Sequence, residues 1–311
     1  MRQRRRLTAI ACALTLAASL ALAAGEQEPD DDVEGGTIGT GIMGEITGLG
    51  SIHVGGARVR VPDGAQVQSL LGARPAEDLT IGETVVVEAA AQDGTLVAYA
   101  LRSYHPLVAP VEAVSQGTLE VLGVSLDVSE VDVPELAVGD WVALSGLWRG
   151  NTVAVSHIRR VASQRHVIVN GSFTHTPDAG QRVGPFALAD GPVTHAATGA
   201  HLRVRGQWDS VAQHLVPDRI DSGLFSRDLP TLRIEGYLSQ PDPAGTYFIY
   251  GSGVTFVTEA PDMRVPQART LFCVVPGTPA EFRALATLDL PRAERLRLLE
   301  ARVATGDAAE C

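Results

Sequence analysis

A turn glycine followed by a β-rich run recurs along the chain at a nearly constant interval. The first copy is Gly82-Glu83-Thr84-Val85-Val86-Val87-Glu88-Ala89. The second is Gly139-Asp140-Trp141-Val142-Ala143-Leu144-Ser145-Gly146, and the third is Gly199-Ala200-His201-Leu202-Arg203-Val204-Arg205-Gly206. They lie 57 and 60 residues apart. Self-similarity at a fixed period marks a tandem array in which each period is one supersecondary unit. Each run has a closing partner at a matching offset: Leu96-Val97-Ala98-Tyr99-Ala100-Leu101-Arg102, then Val153-Ala154-Val155-Ser156-His157-Ile158-Arg159, then Leu215-Val216-Pro217-Asp218-Arg219-Ile220. Asp93-Gly94 and Gly150-Asn151 sit between run and closer as hairpin connectors. The openings agree too: Gly50-Ser51-Ile52-His53-Val54-Gly55, Gly117-Thr118-Leu119-Glu120-Val121-Leu122-Gly123 and, in a looser fourth unit, Gly245-Thr246-Tyr247-Phe248-Ile249-Tyr250-Gly251. Alternation within each opening lets one face enter a core and leaves the other wet.

A unit of about 55–65 residues with five or so short strands is too small for a large sandwich. A small closed or partly open barrel removes the exposed sheet edges, so the expected fold is all-β: tandem OB-like barrels, with SH3-like barrels as the alternative. The 32 glycines and 18 prolines suit many tight turns rather than long helices. The expected units are residues 43–108, 109–163, 164–229 and a divergent 230–311. Near the end, Pro291 and the run Arg292-Ala293-Glu294-Arg295-Leu296-Arg297-Leu298-Leu299-Glu300-Ala301-Arg302-Val303 read as a C-terminal helix with Leu296, Leu299 and Val303 in one stripe. The alternative is the closing strand of the fourth unit.

Residues 1–24 combine a basic start, an apolar run from Leu7 and the small-residue end Ala21-Leu22-Ala23, the form of a cleaved signal peptide; the competing reading is a membrane anchor. Arg4-Arg5-Arg6-Leu7 leaves Sec and twin-arginine export both open, and Cys12 falls inside the segment, too early for a lipobox. The expected location is periplasmic or secreted, with no membrane span after cleavage. Residues 25–42 are acidic and then Gly-rich, and read as a solvated linker. All 25 basic residues are arginine; losing Arg2, Arg4, Arg5 and Arg6 with the signal takes the formal charge from −11 to −15. That charge repels phosphate backbones and anionic bilayers, so nucleic acid is not an expected partner. Cys273 and Cys311 remain. In an oxidising compartment they could pair, closing a loop of about 40 residues worth about 3–4 kcal/mol in the chain-entropy model. Otherwise Cys311 stays free at the chain end and Cys273 is a core thiol.

The second unit, residues 111–161, resembles the bacterial domain of unknown function 5666 family through Gly117-Thr118-Leu119-Glu120-Val121-Leu122-Gly123, Leu136-Ala137-Val138-Gly139-Asp140-Trp141-Val142 and Val153-Ala154-Val155-Ser156-His157-Ile158. The first unit carries the resemblance through Gly44-Glu45-Ile46-Thr47-Gly48-Leu49-Gly50-Ser51-Ile52 and Leu79-Thr80-Ile81-Gly82-Glu83-Thr84-Val85; the third shares it in part and the fourth poorly. The resemblance implies exported tandem β modules and supplies no catalytic residues.

Enzyme signatures fail one by one. Gly251-Ser252-Gly253 is not a G-x-S-x-G elbow, a P-loop needs a lysine this chain lacks, and neither H-E-x-x-H nor C-x-x-C occurs. The eight histidines are scattered; His195 and His201 could share a metal only if a turn joined them, and no metal or cofactor is expected. Glu83 and Asp140 fall at equivalent turn positions, which suggests bonds to backbone amides rather than acid–base work. Trp148 and Trp208 also fall at equivalent places. Their rings suit either stacking on a sugar or apolar ligand, or covering the end of a barrel core. The expected function is a non-enzymatic binding or assembly protein of the cell envelope with a protein or glycan partner. The alternatives are a structural spacer, or a hydrolase with a site between modules. Oligomeric state is left open.

Overall fold

The computed structural model describes residues 39–189, 195–242, 245–257, 268–276 and 281–305. Strands dominate, and the described residues hold a single α-helix. The signal segment and most of the linker lie outside these residues.

The first unit is a closed five-stranded barrel. Its strands are β1 (Gly39–Gly48), β2 (Ile52–Val54), β3 (Ala57–Arg60), β6 (Thr84–Gln92) and β7 (Thr95–Ser103), with a small ribbon of β4 (Gln66–Val67) and β5 (Arg74–Pro75) between β3 and β6. The order β1-β2-β3-β7-β6 returns to β1, with β3–β7 the one parallel pairing. This Greek-key closure is the OB-like arrangement, not the SH3-like one. Ile42, Ile46, Val54, Val59, Val85 and Val87 fill its interior, as β-branched side chains on alternating inward positions should.

The second unit repeats the order with β8 (Leu107–Ser115), β9 (Thr118–Val121), β10 (Val124–Asp127), β11 (Trp141–Arg149) and β12 (Thr152–Val161). It stays open between β10 and β12, where the Thr152 hydroxyl donates to the Ser125 carbonyl at 3.4 Å. The third unit closes fully: β13 (Val167–Thr176), β14 (Gly180–Val183), β15 (Phe186–Leu188), β16 (His201–Asp209) and β17 (His214–Ser222) repeat the order of the first, including the parallel β15–β17 pairing. The fourth unit contains β18 (Thr231–Gly236), β19 (Thr246–Phe248), β20 (Thr255–Val257), β21 (Thr270–Val275) and β22 (Glu281–Thr287), then α1 (Arg292–Thr305).

The repeated glycine is the hinge of each barrel. Gly82, Gly139 and Gly199 have φ of +94°, +91° and +88°, a region costly to other residues. Their N–H groups donate to Ile46, Val111 and Phe173 carbonyls at 2.9, 2.8 and 2.8 Å. Seven residues on, each following strand carries a register shift against its hairpin partner, at Glu88/Ala89, Ser145/Gly146 and Arg205/Gly206. The sequence period is therefore a backbone period.

Two boundaries differ from the sequence expectation. β8 opens at Leu107, inside the expected first unit, and β1 begins at Gly39, inside the expected linker. The glycines there serve close packing: a methyl group at Gly41 would stand 2.7 Å from both Leu232 Cδ2 and Phe225 Cε1. The units also do not stand apart. β1 pairs in parallel with β18, Thr40 to Thr231 through Met43 to Ile234, so the first and fourth units share one sheet. β8 pairs with β13, joining the second and third, and one apolar core runs through both. First and second meet where the Ser156 hydroxyl donates to the Gly82 carbonyl at 2.6 Å; third and fourth meet where the Gly251 N–H donates to Ser172 Oγ at 2.8 Å.

The C-terminal segment is a helix, and β22 takes the closing-strand role beside β21. Its buried face carries Leu299 as expected, but with Arg295; Leu296 and Val303 are half-buried. Arg295 faces inward because Glu45 waits there. Glu45 and Glu235 are fully buried, and Arg269, 3% exposed, bridges them at 2.8 and 2.7 Å. Arg292 and Arg295 each approach Glu45 at 3.4 Å. Burial opposes the Arg269 charge, but Glu235 and Glu45 outweigh it and raise its pKa.

Candidate functional site

A chamber of about 130 Å³ lies where the first, second and third units meet. Its walls come from the linker between β7 and β8 (Tyr104, His105), from β13 (Ile168, Asn170), from β16 (His201, Arg203) and from Leu224 in the segment leading to β18. Arg102 and the loop carrying Gln68 to Leu71 form its more exposed side. A larger groove of about 450 Å³ shares His201 and Leu224 with it and is lined by Phe225, Leu229, Leu232 and Val274.

Several side chains here carry a buried polar atom that finds no well-aligned partner. Asn170 Nδ2 donates to the His105 carbonyl at 2.5 Å, and Asn170 Oδ1 has no hydrogen-bond partner. The Asn170 backbone carbonyl accepts from Trp148 Nε1 and from Tyr104 OH. His105 Nδ1 lies 3.3 Å from the Leu144 carbonyl, while Nε2 has no partner. Neither ring nitrogen of His201 makes a well-aligned hydrogen bond, although the Gly223 backbone lies close enough to oppose the lowering of its pKa, and its ring lies 6.0 Å from that of Tyr104, centroid to centroid. Arg203 Nε is likewise unsatisfied. Buried polar atoms are paired in the great majority of cases, so four residues with unpaired atoms around one cavity mark it off from ordinary core.

Electrostatics keep the imidazoles neutral. Burial, reinforced by Arg159, pushes the His105 pKa down to about 3. Burial and Arg203 do the same for His201, to about 3. Behind Arg102, burial alone would raise the Glu88 carboxyl, but hydrogen bonds from Ser226 and Arg102 hold it below the ordinary value. Ser226 Oγ donates to Glu88 Oε2 at 2.5 Å and Arg102 Nη2 to Oε1 at 2.6 Å, which pins the segment before β18 onto the first barrel.

Trp148 and Trp208, singled out for possible stacking on a ligand, both turn toward Phe186. Trp148 is 1% exposed and meets Phe186 edge-on at 6.3 Å; Trp208 is half-buried and meets it edge-on at 5.5 Å. The Trp148 ring fills the seam between the second and third barrels. Asp140 Oδ2 accepts the Ala137 N–H at 2.9 Å, as its turn position suggested. Glu83 instead binds the Arg74 guanidinium and, at 3.0 Å, the Thr80 hydroxyl. His195 is exposed and His201 buried, and no group of metal-ligating side chains occurs among the described residues. Cys273 is buried on β21 and disulfide-bonded; Cys311 lies outside the described residues, and so does the expected pairing of the two. No helix among the described residues is long and apolar enough to cross a membrane.

Sequence reasoning missed His105, Asn170 and Arg203. A signal existed for one: Asn170 interrupts the apolar run Val167-Ile168-Val169 in a strand buried along most of its length.

No protein family, curated protein or solved structure matches the chain.

Proposed function

We propose that this chain is a non-enzymatic binding or assembly protein of the cell envelope. In this reading it is exported on residues 1–24 and periplasmic or secreted thereafter, and its units belong with the exported modules that residues 111–161 resemble. The observation that carries the binding reading is the partly open inter-barrel chamber, whose walls include the polar residues Arg102, His105, Asn170, His201 and Arg203. Binding sites are concave with a few converging polar groups, commonly at domain junctions.

The engagement of the charged groups favours binding over turnover. The buried carboxylates of Glu45, Glu83, Glu88 and Glu235 are each held by an arginine. Neither chamber imidazole has a hydroxyl or carboxylate hydrogen-bonded to it, whereas an activated nucleophile needs a base within that reach. The net charge of −11 argues against a nucleic-acid partner despite the OB-like barrels.

The test uses the protein from residue 25 onward on a glycan array and in equilibrium binding to envelope proteins, with ester, phosphate, glycoside and peptide substrate panels in parallel. Saturable binding without turnover is the expected result. Turnover with no ligand above background would overturn the proposal. Fractionation of cells making the full chain checks export: a cytoplasmic, full-length product would refute that half.

A further inference from the structure

We infer that an outer groove of the first barrel, centred on Tyr99, binds a pyranose unit of an envelope glycan. This rests on the binding reading above and names one ligand class and one site for it.

An irregularity in β7 presents the ring. The pairing of β6 with β7 runs in step from Val85–Ser103 to Glu88–Ala100 and resumes at Ala89–Ala98, so Tyr99 is the extra residue of a β-bulge. A bulge re-aims a side chain. Ala98 and Leu101 enter the core of the barrel, and Tyr99 stays outside it beside the small Ala100. The same bulge in the second and third barrels falls on Ser156 and Asp218. Ser156 serves the contact with Gly82, and Asp218 meets Arg205 at 3.0 Å. Of the three, the first alone puts an aromatic ring there. The Arg227 guanidinium lies 4.4 Å from the ring centroid, and Tyr99 is still 43% exposed.

Around Tyr99 lies an open groove of about 620 Å³, lined also by Arg60, Gln66, Gln68 and Gln92. All four side chains are exposed, so a guest reaches them. Arg60 Nη2 donates to Gln92 Oε1 at 3.2 Å, which leaves the Gln92 amide N–H groups free to donate to a guest. The side-chain amides of Gln66 and Gln68 have no protein partner among the described residues, and each holds two donors and an acceptor. A sugar hydroxyl both donates and accepts, and the apolar C–H face of a pyranose packs on an aromatic ring. Other ligands fit less well. No carboxylate lines the groove, so nothing there holds a cation. Apart from Tyr99 and Pro62 its apolar members are buried or half-buried, which gives an apolar peptide few anchors. A polyanion meets the net charge of −11. The groove adjoins the inter-barrel chamber through Gln68 and Arg102, which line both.

The test screens the protein from residue 25 onward on an array of oligosaccharides, then titrates the best-bound one into protein labelled at its tyrosine rings and read by NMR. The Tyr99 signal is the one that Tyr99→Phe removes. It should move saturably. Tyr99→Ala should weaken binding by about tenfold or more, and Tyr99→Phe should leave it within about threefold, since the ring and not its hydroxyl does the stacking. Circular dichroism checks that the Tyr99→Ala chain is folded; if it is not, Gln66→Ala combined with Gln92→Ala should give the same loss, and undiminished binding by that pair would overturn the site. So would a sugar that binds without moving the Tyr99 signal, or that binds folded Tyr99→Ala as tightly as the parent. An array without a hit would overturn the class. Either failure, together with saturable binding of an envelope protein, would sink this inference alone and leave the wider reading standing.

Discussion

Replacing Arg269 with methionine opens the charge cluster that joins the first unit, the fourth unit and α1. Arg269 lies 2.8 Å from Glu45 and 2.7 Å from Glu235, and both carboxylates are fully buried. Each pair gains about 4 kcal/mol gross at a charge separation near 4 Å and an effective dielectric near 20. Desolvating each ion costs several kcal/mol, so the closed set contributes little net stability while an opened one is strongly destabilising. Arg292 and Arg295, at 3.4 Å from Glu45, relieve only that carboxylate. Arg269→Met should therefore cost about 3–5 kcal/mol, read by urea denaturation at neutral pH with circular dichroism. Replacing Glu45, Glu235, Arg269 and Arg295 together with leucine or methionine should cost less than the single change, because no buried charge of the cluster is left alone. A loss below about 1 kcal/mol for Arg269→Met would refute the account, since that is the range of an exposed ion pair. So would a quadruple variant less stable than the single one.

Trp148→Ala should destabilise by about 3–5 kcal/mol in the same assay, since it empties the seam between the second and third barrels. The two chamber histidines make stability pH-dependent. Their folded pKa values, about 3, lie below the ordinary 6.5, so the unfolded state binds more protons between those limits. Stability should be full above about pH 6.5 and fall on acidification, by up to about 1.4 kcal/mol per pH unit for each histidine. His201→Phe should flatten the slope between pH 6 and 5, to which the lowered His157 also contributes, and an unchanged slope would count against the buried neutral rings. Glu300→Ala removes the carboxylate that meets His53 Nδ1 at 2.8 Å and Thr47 Oγ1 at 2.6 Å. Amide exchange within residues 292–305 should quicken while that of the barrel strands stays unchanged.

The barrels were legible because their determinants are local. Gly82, Gly139 and Gly199 impose a left-handed residue at one point of each unit, and the alternating runs around them set inward and outward faces within a few residues. The chamber and the charge cluster were not legible, because their members are far apart in sequence. Glu45 and Arg269 are 224 residues apart, and Tyr104 reaches Gly251 across 147. A lone Asn170 or His105 looks the same on paper whether it faces solvent or a cavity. Trp148 and Trp208 were conspicuous for being aromatic and repeated, and both meet Phe186 edge-on. The Gly-rich start misled for a related reason: glycine marks both loose chain and the tightest contact between strands, and only the pressing neighbours Leu232 and Phe225 tell which.

The parallel pairing of β1 with β18 has a consequence for copy number. Each unit touches the next, and the fourth returns to the first, so an internal unit cannot be added or removed without disturbing a contact between units distant in sequence. An open solenoid lengthens or shortens at modest cost because each repeat meets only its neighbours. Here an inserted or deleted unit would unzip the seam from Thr40–Thr231 to Met43–Ile234 and strand Glu45 from Arg269. A device whose task was to set a distance would gain from adjustable length; this circuit ties the first unit to the fourth.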